Sequence, residues 1–105
     1  MATAEIHPGN CGFTTTVQAT QDGDVVRLSI TSDCKAIQKL AQELVEVDPY
    51  KEISFRRGVP SILQMDAKYC THAACPVPVG IIKAVELEVG MTLPTDVTIK
   101  LSKTA

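Results

Sequence analysis

A chain of 105 residues and 11.3 kDa has room for one domain, residues 1–105, with a single modest core. With 45% hydrophobic and 21% charged residues it is not disordered throughout, and ten Lys+Arg against 12 Asp+Glu leave no basic excess for general nucleic-acid binding. Its aromatics, Phe13, Tyr50, Phe55 and Tyr69, are too scattered for a base-stacking platform, and its short apolar runs span no membrane.

Residues 1–10 read as a flexible N-terminus with neither a positive n-region nor an apolar h-region, so the sequence predicts a cytoplasmic protein without a secretory signal. From Phe13 to Ala19 apolar and polar residues alternate, and the alternation resumes with Val26, Leu28 and Ile30. Asp22-Gly23 between the two runs predicts a β-hairpin. With these two as the loop, Ala19 faces Val26, Val17 faces Leu28 and Thr15 faces Ile30, so that inward residues meet inward residues. The same register continued past Phe13 and Ser32 sets Cys11 opposite Cys34.

Ser32-Asp33 then offers N-cap chemistry, and Ile37, Leu40, Ala41, Leu44 and Val45 follow the spacing of an amphipathic helix over about residues 34–47. Asp48-Pro49 ends it. Tyr50 to Arg57 reads as a short strand or an irregular segment, and Gly58-Val59-Pro60 as a break. Ile62, Met65 and Tyr69 predict a short helix over Ser61–Tyr69.

Cys70-Thr-His-Ala-Ala-Cys75-Pro-Val-Pro78 follows. On one continuous helix Cys70 and Cys75 would lie about 140° apart, but Pro76 and Pro78 suit the first turn of a new helix. Cys75 is thus expected at the N-cap of a helix running to about Val89, with Val77, Ile81, Ala84, Val85 and Val89 inward and Gly90 as its stop. Val97, Ile99 and Leu101 alternate with Thr98, Lys100 and Ser102 as a last strand. The expected fold is α+β: a small antiparallel sheet, made of the N-terminal hairpin plus the C-terminal strand, with two to three helices packed on one face.

All four cysteines fall at the ends of predicted elements, whereas a cysteine serving as a small hydrophobe more often sits inside one. Cys34 and Cys75 fall at helix N-termini, which favour the thiolate that metals bind. Cys11, Cys34, Cys70 and Cys75 can together complete the coordination of an iron–sulfur cluster, including the 4Fe–4S type, or of zinc. Zinc sites usually show two close cysteine pairs, and here there is one C-x4-C plus two isolated cysteines, which favours the cluster. Such a centre would serve electron transfer, cluster delivery or redox sensing, with a redox or cluster-transfer protein as partner.

His72 is either a ligand, a hydrogen-bond donor to sulfur or a plain loop histidine. His7 reads as inert, Gly12 as an approach to sulfur or a turn, and Arg56-Arg57 as an anion contact or a solvated edge. The competing chemistry is thiol-based: a dithiol switch joining Cys70 to Cys75 or Cys11 to Cys34, or sulfur transfer. A structural or interaction domain with unmodified cysteines is the third class. No Ser-His-Asp set, paired-carboxylate motif, phosphate loop or H-E-x-x-H supports a conventional hydrolase or nucleotide-binding enzyme.

Two resemblances add to this. Cys11-Gly-Phe-Thr-Thr-Thr-Val17, Ser32-Asp-Cys34 and His72-Ala-Ala-Cys-Pro-Val-Pro78 with Ile82-Lys-Ala-Val-Glu86 resemble a family of small four-cysteine proteins of unknown function. That likeness covers nearly the whole chain and implies that the cysteines act as a set. Cys75-Pro-Val-Pro78 with Lys83-Ala84 is similar to the CPxP motif of TusA-like sulfur carriers, which implies a persulfide on Cys75 and places Lys83 on that family's basic helix. There the motif follows the first strand, whereas here it stands late in the chain.

Overall fold

Alternation builds the sheet of the computed structural model, which describes residues 1–104. Strands β1 (Ala2–Ile6), β2 (Thr15–Asp22), β3 (Val25–Ser32) and the two-residue β4 (Glu46–Val47) pair in that order, each antiparallel to its neighbour. Val17, Ala19, Val26 and Leu28 are buried on one face, while Gln18, Thr20, Arg27, Ser29 and Thr31 are exposed on the other. Helices α1 (Lys35–Glu43), α2 (Pro49–Glu52), α3 (Ser61–Tyr69) and α4 (Val77–Glu88) complete the chain. The core brings Ile37, Leu40, Ile62, Ile81 and Val85 together with the apolar residues of the strands. The fold is α+β, as its patterning predicts.

The hairpin register departs from expectation by two residues, one full period of the pleat. Asp22 pairs with Val25, Ala19 with Leu28 and Val17 with Ile30, which leaves Gly23-Asp24 as the loop. Gly23 takes φ 63° while no non-glycine residue among the described residues has a positive φ, the sign pattern of a type II′ turn with glycine first. A two-residue displacement preserves which side chains face inward. It also removes the expected pairing of Cys11 with Cys34, because the ladder ends at Thr15–Ser32.

Residues 2–6, expected outside the fold, form the edge strand. Ala2 and Ile6 are buried and Ala4 half-buried, with Thr3 and Glu5 exposed. Small inward residues suffice because α4 packs closely over this strand: a Cβ on Gly80 would fall inside the van der Waals envelope of Ile6 Cδ1 and Cγ1. The expected C-terminal strand does not join the sheet. Val97, Ile99 and Leu101 are exposed and residues 94–104 have no regular structure, since β1 and not the tail pairs with β2.

The first helix is shorter than its periodicity suggests. It stops at Glu43 so that the Val45 carbonyl can accept from the Leu28 N–H at 2.9 Å and Val47 can pair with Val26. Between Tyr50 and Arg57 there is no strand: Asp48 Oδ1 accepts from the Tyr50 N–H at 3.0 Å and, with Pro49 following, starts α2. The Ser61–Tyr69 helix forms where expected, with Ile62 buried and Met65 and Tyr69 packed on the core.

Candidate functional site

Three strands finish level at one end of the sheet, where Ile6 is paired with Thr15 and Thr15 with Ser32. Thr15 Oγ1 donates to Ser32 Oγ at 2.9 Å, and the same Ser32 oxygen accepts from the Cys34 N–H at 3.1 Å. Cys34 is the N-cap residue of α1, half-buried against the core. The loop from β1 to β2 leaves from this end too. It carries Cys11, exposed, in a turn closed by Gly12 N–H to the Gly9 carbonyl at 3.0 Å. Gly9 and Gly12, at φ 97° and 72°, hold backbone shapes that other residues rarely adopt.

Helix α4 points its N-terminus toward the same end. Gly80, in its first turn, presses on Ile6, while Glu88, in its last, accepts from the Gln21 N–H at 2.7 Å and pairs with the Met1 amino group at 3.4 Å. The helix therefore runs antiparallel to β1. Cys75 precedes it, with Pro76 as the N-cap residue in place of the expected Cys75, since the Pro76 carbonyl accepts the first helical hydrogen bond, from the Gly80 N–H at 3.1 Å. Topology thus gathers Cys11, Cys34 and Cys75 at one end of the sheet, and Cys70 follows from the turn that joins α3 to α4.

That turn converges the C-x4-C pair. The His72 carbonyl accepts from the Cys75 N–H at 3.1 Å and from the Cys70 thiol at 3.7 Å. Cys70 and Asp66 both act on the Cys75 thiol, whose pKa is raised chiefly by burial and further by these two neighbours, against the Val77 N–H, which favours the thiolate. Asp66 is one helical turn before Cys70. Burial raises its carboxyl pKa and the Cys70 thiol opposes the rise, while its Oδ1 is buried without a hydrogen-bond partner. Cys70 has one thiol proton and two acceptors within reach, the His72 carbonyl and this carboxylate. The i, i+4 spacing of Asp66 and Cys70 on α3 is the signal by which sequence reasoning could have found the carboxylate.

The Cys70 thiol acts on Cys75, but among the described residues no three His, Cys, Asp or Glu side chains stand close enough to hold a metal ion. The His72 side chain is exposed, and His7 Nδ1 lies 3.2 Å from Thr14 Oγ1. Arg56 and Arg57 are exposed on the turn after α2. Arg57 lines an open depression with Lys51, Glu52, Val59, Ser61 and Gln64, which contains no cysteine. Among the described residues no helix is long and apolar enough to cross a membrane.

A protein-family model described as a family of unknown function, DUF6951, matches residues 2–101. No curated protein and no solved structure matches the chain.

Proposed function

We propose that this chain, which belongs to the DUF6951 family of unknown function, binds a metal centre through Cys11, Cys34, Cys70 and Cys75. The centre we favour is an iron–sulfur cluster, used for electron transfer, cluster delivery or redox sensing with a protein partner in the cytoplasm. What supports the reading is that Cys11, Cys34 and the C-x4-C pair, three separate parts of the sequence, lie on segments that leave or approach one end of a single sheet. Cys70 and Cys75 form one half of the ligand set. The other half requires Cys11 to swing inward on its exposed loop and Cys34 to turn from the core, so ligation would couple to closure of this end. The α4 N-terminus and the Val77 N–H favour negative sulfur at Cys75. Burial at Cys75 works the other way, keeping the thiol protonated until a cation replaces the proton.

The test is purification without oxygen, followed by the visible spectrum and by iron, zinc and acid-labile sulfide per chain. Iron with matching sulfide, reduced in occupancy by each single Cys→Ser change, is the expected result. Zinc without sulfide would replace the cluster by a structural ion. Full occupancy in Cys11→Ser and Cys34→Ser would end four-cysteine ligation.

A second reading rests on the reach between Cys70 and Cys75. These two thiols would form a reversible disulfide by exchange with a disulfide-bearing partner, or Cys75 would carry sulfur as the CPxP resemblance implies. A colourless, metal-free protein after cluster reconstitution, with a Cys70–Cys75 disulfide or a persulfide on Cys75 by mass spectrometry, would select it.

A further inference from the structure

The C-terminal segment is a strand in search of a sheet. Val97, Ile99 and Leu101 alternate with Thr98, Lys100 and Ser102, yet the three apolar side chains are 57%, 73% and 90% exposed. The molecule measures 51 × 28 × 26 Å, consistent with a tail that stands off the body. Meanwhile β1 is the outermost strand on its side of the sheet, so among the described residues its outer backbone groups have no strand partner. An exposed alternating segment and an uncovered edge on the same molecule are complementary halves of a strand addition.

We propose that the tail of one copy adds to β1 of a second copy, and reciprocally, giving a symmetric dimer by strand exchange. The two segments match residue for residue. Both are five residues long, Ala2–Ile6 and 97–101. Aligned in parallel, Val97, Ile99 and Leu101 fall beside Ala2, Ala4 and Ile6 on the core side, while Thr98 and Lys100 fall beside Thr3 and Glu5. Lys100 against Glu5 is a charge pair that the antiparallel alignment would not make, and it selects the parallel one. The docked tail would also cover Val79, which is 52% exposed on α4, the helix packed over β1. A second copy is the occupant because the tail leaves its own edge uncovered while carrying its complement. Exchange satisfies both edges at once with no segment left over.

Sedimentation equilibrium of the full chain under reducing conditions tests this, since a reductant removes disulfide-linked dimers. The expected species has twice the mass of the 11.3 kDa chain. Ile99→Asp should raise the dissociation constant about a hundredfold by setting a charge in the apolar row. Its circular dichroism should lose only the strand signal of the tail and its unfolding should stay cooperative, because the residue is exposed within the single chain. Lys100→Glu should weaken the dimer and Glu5→Lys should restore it in the double variant. A monomer at every concentration would overturn the proposal, as would a dimer indifferent to Ile99→Asp. A monomer whose β1 amides lose exchange protection in Ile99→Asp would overturn it in favour of a tail folded onto its own edge. Failure of the charge swap to rescue would overturn the parallel register.

Discussion

Gly80 marks the closest approach of α4 to the sheet, and replacing it by alanine sets two effects against each other. Removing a glycine from a helix interior stabilises by about 1 kcal/mol. The new methyl, however, would enter the space of Ile6 Cδ1 and Cγ1, and its distance to Ile6 Cβ would be 3.6 Å. Ile6 is 8% exposed, so it has little free volume into which to turn. Overpacking of this kind costs about 1–3 kcal/mol, which outweighs the propensity gain and leaves a net loss of about 1 kcal/mol. For a domain of this size the melting temperature should fall by roughly 4–8 °C per kcal/mol. The decisive assay is a double-mutant cycle by chemical denaturation. Ile6→Ala alone removes both Cδ1 and Cγ1, leaving Cβ at 3.6 Å, and costs about 2–5 kcal/mol. In that background Gly80→Ala should lose its overpacking penalty and become stabilising, giving a coupling of about 2 kcal/mol. Equal stabilisation by Gly80→Ala in both backgrounds would mean that α4 does not rest on Ile6, and the argument that carries Cys75 to this end of the sheet would fail with it.

Ser32→Ala should cost about 1–3 kcal/mol in urea unfolding, because it removes the acceptor of both the buried Thr15 hydroxyl and the Cys34 N–H. Thr15→Val, which spares the second bond, should cost less; equal losses would contradict the shared acceptor. Glu52 is 2% exposed, accepts from the Ile62 N–H at 2.8 Å and is bonded to Ser61 Oγ, so it tethers α2 to the start of α3. Glu52→Ala should destabilise by about 2 kcal/mol, and Glu52→Gln, which retains an acceptor, by clearly less. Glu88 has its pKa lowered first by the Gln21 N–H and then by the Met1 amino group. Its contribution is therefore complete above the ordinary carboxylate range and disappears as pH falls through its lower folded value. Thermal melts from neutral to acid pH should show Glu88→Gln to be less stable at pH 7 and to lose less on acidification, and parallel curves would refute this.

Strong periodicity was enough to read the hairpin strands, α1, α3 and α4 from sequence. The loop register was harder, since Asp22-Gly23 and Gly23-Asp24 both offer turn chemistry and only the positive φ at Gly23 as first loop residue distinguishes them. Residues 2–6 gave little signal because Ala2 and Ala4 are small, and their burial depends on a helix more than 70 residues away. The tail misled for the opposite reason. Its alternation is strong, but alternation does not say which edge, or whose, the strand will meet. At the site, the break between α3 and α4 around C-x4-C was legible from the two prolines, whereas the hairpin route from Cys11 to Cys34 depended on a ladder that stops at Thr15. Asp66 escaped notice because a carboxylate on a short helix is ordinary until burial isolates one of its oxygens.

The Gly23-Asp24 turn lies at the far end of the eight-residue strands β2 and β3 from the cysteines. At roughly 3.3 Å per residue the ladder keeps the two ends about 25 Å apart. The turn is thus a natural handle. A fluorophore or surface tether attached there would leave the cysteine end facing solvent, and would orient every molecule on an electrode or sensor in the same sense. The strands would then set the distance from support to thiol, a gap long enough to hinder direct electron tunnelling and to require an approach from the opposite side.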